Sequence, residues 1–157
     1  MARNDPRQGR GFSLLELVIV VVVLGIIAAI AIPRLSRGSA GARDSALLGN
    51  LAALRAAIDM FAAEHPGILP TKDNIAAQLT QYSDAAGNAQ PAKDAAHVYG
   101  PYLRHIPPLP VGARKGATGI ADLDAAGIGW IYDQTTGAIR TNTTIEADES
   151  GKLYRDY

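Results

Sequence analysis

Residues 14–32 are apolar almost without interruption: fourteen of the nineteen are Val, Ile or Leu, and Glu16 is the only ionisable group among them. A helix of nineteen residues rising about 1.5 Å each comes close to the ~30 Å hydrocarbon thickness of a bilayer. At roughly 0.3 to 0.6 kcal/mol apiece, those side chains outweigh the roughly 3 kcal/mol cost of a mid-membrane acid. The pattern therefore predicts a membrane-inserting helix that carries one carboxylate near its start. Beyond Pro33 the chain turns amphipathic. Leu47, Leu51, Leu54, Ile58 and Phe61 recur at spacings of four, three, four and three, one stripe of a helix whose other face carries Arg43, Asp44, Asn50, Arg55 and Asp59. Such a stripe predicts a helix packed on a core, with the sheet that follows as its partner. Gly25, Pro33, Gly38 and Gly41 are its weak points, because proline removes a helix hydrogen bond and each glycine costs about 1 kcal/mol relative to alanine. His65-Pro66-Gly67 should end it.

The remaining pattern predicts a small α+β head. Thr71 offers an N-cap for a short helix reaching Gln81, with Ile75, Leu79 and Tyr82 as its apolar positions. Residues 83–96 have no apolar period and read as a surface loop. Residues 100–110 hold four prolines, which lack the ladder donor, so this run should lie extended across a sheet edge. The clearest strands are 128–133 and 138–143, joined by Gln134-Thr135-Thr136-Gly137, with Gly137 able to take a positive φ. In a direct hairpin Ile128, Trp130, Tyr132, Ile139, Thr141 and Thr143 share the face that covers the helical stripe, and Trp130 reads as core rather than as a ligand platform. A last short strand is expected near 152–154.

The junction at the start of the apolar run has a specific character. A short basic leader with Arg3, Arg7 and Arg10 ends in Gly11, Phe12 follows, and Glu16, Gly25 and Pro33 stand at set distances beyond it. In these residues the chain resembles the type IV pilin-like superfamily, which includes type IV pilins and type II secretion pseudopilins. Ser13, where many members have Thr, is the one visible departure. The resemblance implies that prepilin peptidase cuts between Gly11 and Phe12 and methylates the new amine. It further implies an inner-membrane assembly platform as partner, self-association into a helical filament, and a pilin-like fold in which one long helix is half membrane-embedded and half packed on a small antiparallel sheet. Residues 1–11 would be the leader, 12–33 the transmembrane and filament-core helix, and 34–157 the amphipathic helix with a periplasmic or extracellular head. In the family the segment after the position of Pro33 can lose helicity on packing into a filament. The chemistry follows from the residues. Cleavage before Phe12 leaves an α-ammonium about one helical turn from the Glu16 carboxylate, and in lipid each group seeks a partner. A neighbour shifted along the helix axis brings Glu16 of one subunit to the Phe12 amine of the next, which makes Glu16 a register device.

Two other readings use the same residues. Ala29-Ile30-Ala31 fits the A-x-A site of a secretory signal, although the apolar run exceeds the usual ~7 to 15 residues and leaves Glu16 without a purpose. An uncleaved anchor for a tethered binding module is the other. Basic residues flank both ends, with Arg34, Arg37 and Arg43 after the span, so charge does not orient it; the resemblance places the head outside the cytoplasm, on a periplasmic pseudopilus or a surface pilus. The chain has no cysteine, so no disulfide staples the head, which favours the pseudopilin side of the family. Removing the leader leaves twelve basic and fourteen acidic residues, a balance that argues against nucleic acid as a partner, and Arg104, Arg114 and Lys115 form only a thin basic stripe.

No enzyme is expected. His65, His97 and His105 are scattered, and no nucleophile elbow or phosphate loop is present. Asp122 with Asp124 and Asp148 with Glu149 read as solvated loop acids. Calcium is the one cofactor to consider, because major pseudopilins hold it in a C-terminal loop and Asp148, Glu149 and Ser150 offer hard oxygens, though the family's ligand pattern is not matched residue by residue. Asn142-Thr143-Thr144 also fits a glycosylation sequon.

Overall fold

The computed structural model describes residues 12–157, with 33–37 described by their backbone alone. Gly11, the leader and the cleavage junction lie outside the described residues. The described chain divides into two units, one ending at Ser39 and one running from Ala40 to Tyr157, and each is taken by itself. Helix α1, Leu14–Glu64, supplies the described part of the first unit and the opening of the second. The expected weak points do not interrupt it: α1 is helical through Pro33, Gly38 and Gly41. One missing hydrogen bond and a glycine pair are small penalties against cooperative propagation over 51 residues.

In the second unit the predicted stripe is the core. Leu47, Leu51, Leu54, Ile58 and Phe61 are all buried, joined by Ala57, and they pack with Leu109, Val111, Trp130, Tyr132 and Ile139. The helix stops where proline and glycine foretold: Gly67 takes φ +79° and its N–H bonds the carbonyl of Ala62 at 2.9 Å. The short helix α2 is Ile75–Thr80, beginning later than Thr71 suggested. Thr71 does not cap it; its N–H donates instead to the side-chain oxygen of buried Gln78 at 2.8 Å. Gln78 Nε2 in turn donates to the Gly87 carbonyl at 2.8 Å.

That second bond marks a departure from expectation in residues 83–96. Strands β1, Tyr82–Ser83, and β2, Ala89–Gln90, pair antiparallel around a turn in which Asp84 accepts from the N–H groups of Ala86 and Asn88. The prolines of 100–110 do keep that run out of the ladders. Two of its carbonyls are served by side chains, Pro107 O by Trp130 Nε1 at 2.8 Å and Pro108 O by Asn50 Nδ2 at 3.0 Å, and Leu109 O accepts from Gly116 N–H at 2.8 Å.

The hairpin forms as read, with β4, Ile128–Tyr132, antiparallel to β5, Ile139–Thr141, Trp130 opposite Thr141, and Gly137 at φ +74°. A further strand, β3, Gly119–Ala121, adds to β4 in parallel and makes this sheet mixed, in the order β3-β4-β5. Parallel neighbours ordinarily need a long crossover. Here β3 is only about 10 Å long at ~3.3 Å per residue, so the short link over 122–127 can return the chain to its start. The strand expected near 152–154 is reduced to a single bridge, Ala147 to Leu153, followed by a 3-10 turn at Tyr154–Asp156. The result is the α+β, pilin-like architecture of one long helix with small sheets.

Candidate functional site

The sequence-predicted site residues stand at and along the start of α1. Ser13 accepts the first helical hydrogen bond, from Leu17 N–H at 3.1 Å, so Phe12 precedes the helix and Glu16 lies in its first turn. An acid there complements the helix dipole, by roughly 0.3 to 1 kcal/mol. Phe12 is 77% exposed, none of the span Leu14–Ile32 is buried, and by length and composition this helix is long and apolar enough to cross a membrane. Among the described residues Glu16 has no ion-pair partner. Gly25 is helical, and a Cβ built on it would meet nothing within 4 Å, so the subunit's own packing does not require glycine there. Pro33 is described by its backbone alone.

The head's polar clusters are internally satisfied. His65 is buried against Phe61, ring centroids 3.9 Å apart, with its Nδ1 2.7 Å from Phe61 O and its Nε2 3.1 Å from Ser83 Oγ. His97 pairs with Asp94, and His105 is exposed. Asp122 pairs with Lys72 and Asp124 with Arg114, each at 2.8 Å, so the loop acids are salt-bridged and the basic stripe loses Arg114. An open cleft of about 500 Å³ beside β4 and β5 is lined by that Lys72–Asp122 pair with Asp133 and Arg140. Asn142 is 7% exposed, and its Nδ2 donates to both Asp124 and the Ile128 carbonyl, so the sequon's amide is unreachable in the folded head.

Calcium does not fit the acids offered for it. Asp148 Oδ1 accepts from Ser150 N–H, Ser150 Oγ and Lys152 N–H, while its other oxygen takes the Tyr157 hydroxyl. Three of those donors converge on Oδ1 and saturate it, while the Tyr157 hydroxyl holds Oδ2, so the carboxylate cannot chelate a cation without losing them. Glu149 is exposed and Ser150 is already spent on Asp148. Among the described residues no three His, Cys, Asp or Glu side chains are grouped as metal ligands.

Sequence reading missed Glu146. Its carboxylate accepts from Ala113 N–H at 2.9 Å, Thr144 N–H at 2.9 Å and Ile145 N–H at 3.2 Å, clasping the loop around 113 to that around 145. These backbone donors, Ala113 first, hold its carboxyl down from the ordinary 4.5 to about 2. A lowered folded value means that the clasp stabilises the head above pH 4.5 and is lost as pH falls towards 2. Glu146→Gln, which cannot accept all three bonds, should therefore be less stable than the parent at neutral pH, and the gap should close between pH 4.5 and 2 in thermal melts. A gap that stays constant across that range would remove the role of the ionised group.

An exposed apolar helix of membrane-spanning length, one acid in its first turn and a small α+β head define a pilin-like filament subunit. The model described as "Prokaryotic N-terminal methylation motif" matches residues 6–32. Over 109 residues the chain is 32% identical to the type II secretion system core protein G of Pseudomonas aeruginosa, covering 68% of this chain and 70% of the relative. The protein of the same name from Klebsiella pneumoniae is 30% identical over 108 residues, covering 68% and 72%. The type IV major pilin protein PilA of Myxococcus xanthus is 45% identical over 64 residues, 41% of this chain and 29% of that one. No solved structure matches the chain at a significant level. The chain belongs to the type II secretion system core protein G family.

Proposed function

We propose that this protein is a structural subunit of a type II secretion pseudopilus. Residues 1–11 are its leader, removed by prepilin peptidase at Gly11; residues 12–33 are the membrane anchor that becomes the filament core; residues 34–157 form the head, which faces out of the cytoplasm. The observation that carries this reading is the exposed span Leu14–Ile32 with Glu16 in its first turn, inside the stretch matched by the methylation motif. An apolar face of this size, unburied in the subunit, is stable only in lipid or against other copies of itself. An inner-membrane assembly platform would draw the subunit from the first environment into the second. In the filament, the methylated amine of Phe12 and the carboxylate of a neighbour's Glu16 meet in a low-dielectric core, where Gly25 and Pro33 belong to the same packing surface.

The likeness to PilA supports a surface pilus as the second reading, but it reaches 41% of the chain, against 68% for core protein G. Mass spectrometry of the N-terminal peptide, from protein purified out of its own host's membranes, tests the processing step. A chain that begins at methylated Phe12 is expected. A chain beginning at Ile32 would mark a secreted domain and an intact Met1 a plain anchor, and either would overturn the assembly mechanism.

A further inference from the structure

The tail of the head, residues 146–157, returns to α1 and is tied there by side chains. Tyr154 donates its hydroxyl to Asp44 Oδ1 at 2.8 Å. Arg55 Nη2 donates to the Tyr157 main-chain oxygen at 2.6 Å. The Tyr157 hydroxyl donates to Asp148 Oδ2, and the Lys152 ammonium lies 3.7 Å from the centre of the Tyr157 ring. Asp148 thereby joins both ends of the tail: one oxygen organises the turn over 148–152, and the other holds the aromatic ring that follows. Asp44, Arg55, Tyr154 and Tyr157 thus cross-link segments more than a hundred residues apart in sequence, in a chain with no cysteine.

The same loop is where the resemblance would place calcium. A calcium ion takes six to eight oxygens at roughly 2.3 to 2.6 Å. To offer both oxygens of Asp148 to it, the chain would have to surrender the Ser150, Lys152 and Tyr157 bonds together, and even one oxygen would be offered beside the Lys152 ammonium. We propose that the C-terminal tail of this protein is a metal-independent latch, in which Tyr154, Tyr157 and Arg55 fasten residues 146–157 to α1 in the place where pseudopilins it resembles use calcium. The fold of the head is then indifferent to the calcium level around it, and the tail opens only when its tyrosine bonds are removed.

The test uses the full chain in detergent, with thermal unfolding and trypsin cleavage at Lys152 and Arg155 as readouts, in EGTA and in millimolar calcium chloride. The parent protein should show the same Tm and the same cleavage rate in both. Tyr154→Phe combined with Tyr157→Phe keeps the rings and deletes both donors; it should lower Tm by roughly 5 °C and speed cleavage roughly tenfold. A parent Tm that falls in EGTA and recovers with calcium would overturn the proposal, as would a double variant cleaved at the parental rate. Either result leaves the filament reading untouched, since that rests on Phe12 and Glu16.

Discussion

Glu16→Ala is expected to abolish filaments while leaving the subunit in the membrane. The exposed span Leu14–Ile32 carries no other ionisable group, so alanine removes the roughly 3 kcal/mol penalty of an intramembrane acid and makes insertion easier. Assembly moves the other way. If each Glu16 faces the Phe12 amine of a neighbour, its loss strands an ammonium in a low-dielectric core, and breaking one partner of such a pair costs about 3 to 5 kcal/mol. That cost recurs at every subunit added, so growth stops rather than slows. Within the subunit, Glu16 contributes no more than its first-turn interaction with the helix dipole, about 1 kcal/mol at most, against a helix of 51 residues. Normal helix content and membrane fractionation together with missing filaments, scored by electron microscopy of sheared material, is the expected pattern. Filaments at the parental level would sink the register role of Glu16, and with it the main physical argument for polymerisation.

How much of this was legible in the sequence depends on the range of the forces involved. The stripe from Leu47 to Phe61 and the hairpin around Trp130 were readable because each burial decision repeats with a local period, 3.6 or 2, and every stripe position is buried. The apolar helix and the methylation-motif stretch were readable because their pattern lies within a few turns of one continuous run. What escaped was short or long-range. Strands β1 and β2 are two residues each, too short to show alternation, and are set by the Asp84 turn and by Gln78 reaching Gly87. Strand β3 lacks a strong apolar run and exists by pairing with β4. The contacts of Asp44, Arg55 and Glu146 with residues 33 to 110 positions away have no local signature. The one clue was compositional, two tyrosines in a mostly polar tail. Pro33, a weak point by its local chemistry, is carried within the subunit's helix by the cooperativity of the turns on both sides.

Gly129→Ala is expected to cripple the head. Gly129 sits buried in the middle of β4 between Ile128 and Trp130, with its carbonyl accepting from Asn142 N–H at 2.9 Å. A Cβ there would stand 2.3 Å from the carbonyl oxygen of Ala117 and 3.2 Å from the Leu109 Cβ. The nearest obstacle is backbone, which no rotamer change can move aside. Ala117 O is itself fixed by Leu109 N–H at 2.9 Å, and Leu109 O accepts from Gly116 N–H at 2.8 Å. The methyl must therefore lift the whole 109–117 loop from the sheet and expose Leu109, which is fully buried. Overpacking usually costs about 1 to 3 kcal/mol, and a rigid collision at this distance belongs at or above the upper end. Set against a typical stability of ~5 to 15 kcal/mol, that is enough to lower Tm by roughly 10 °C or to deplete the protein in its host. Helix α1 from Leu14 to Ile32 makes none of these contacts, so membrane insertion should persist while the head becomes protease-sensitive. A variant that melts within roughly 2 °C of the parent would show that the loop and β4 do not approach so closely, and would put in doubt the packing that seats Trp130 over the helical stripe.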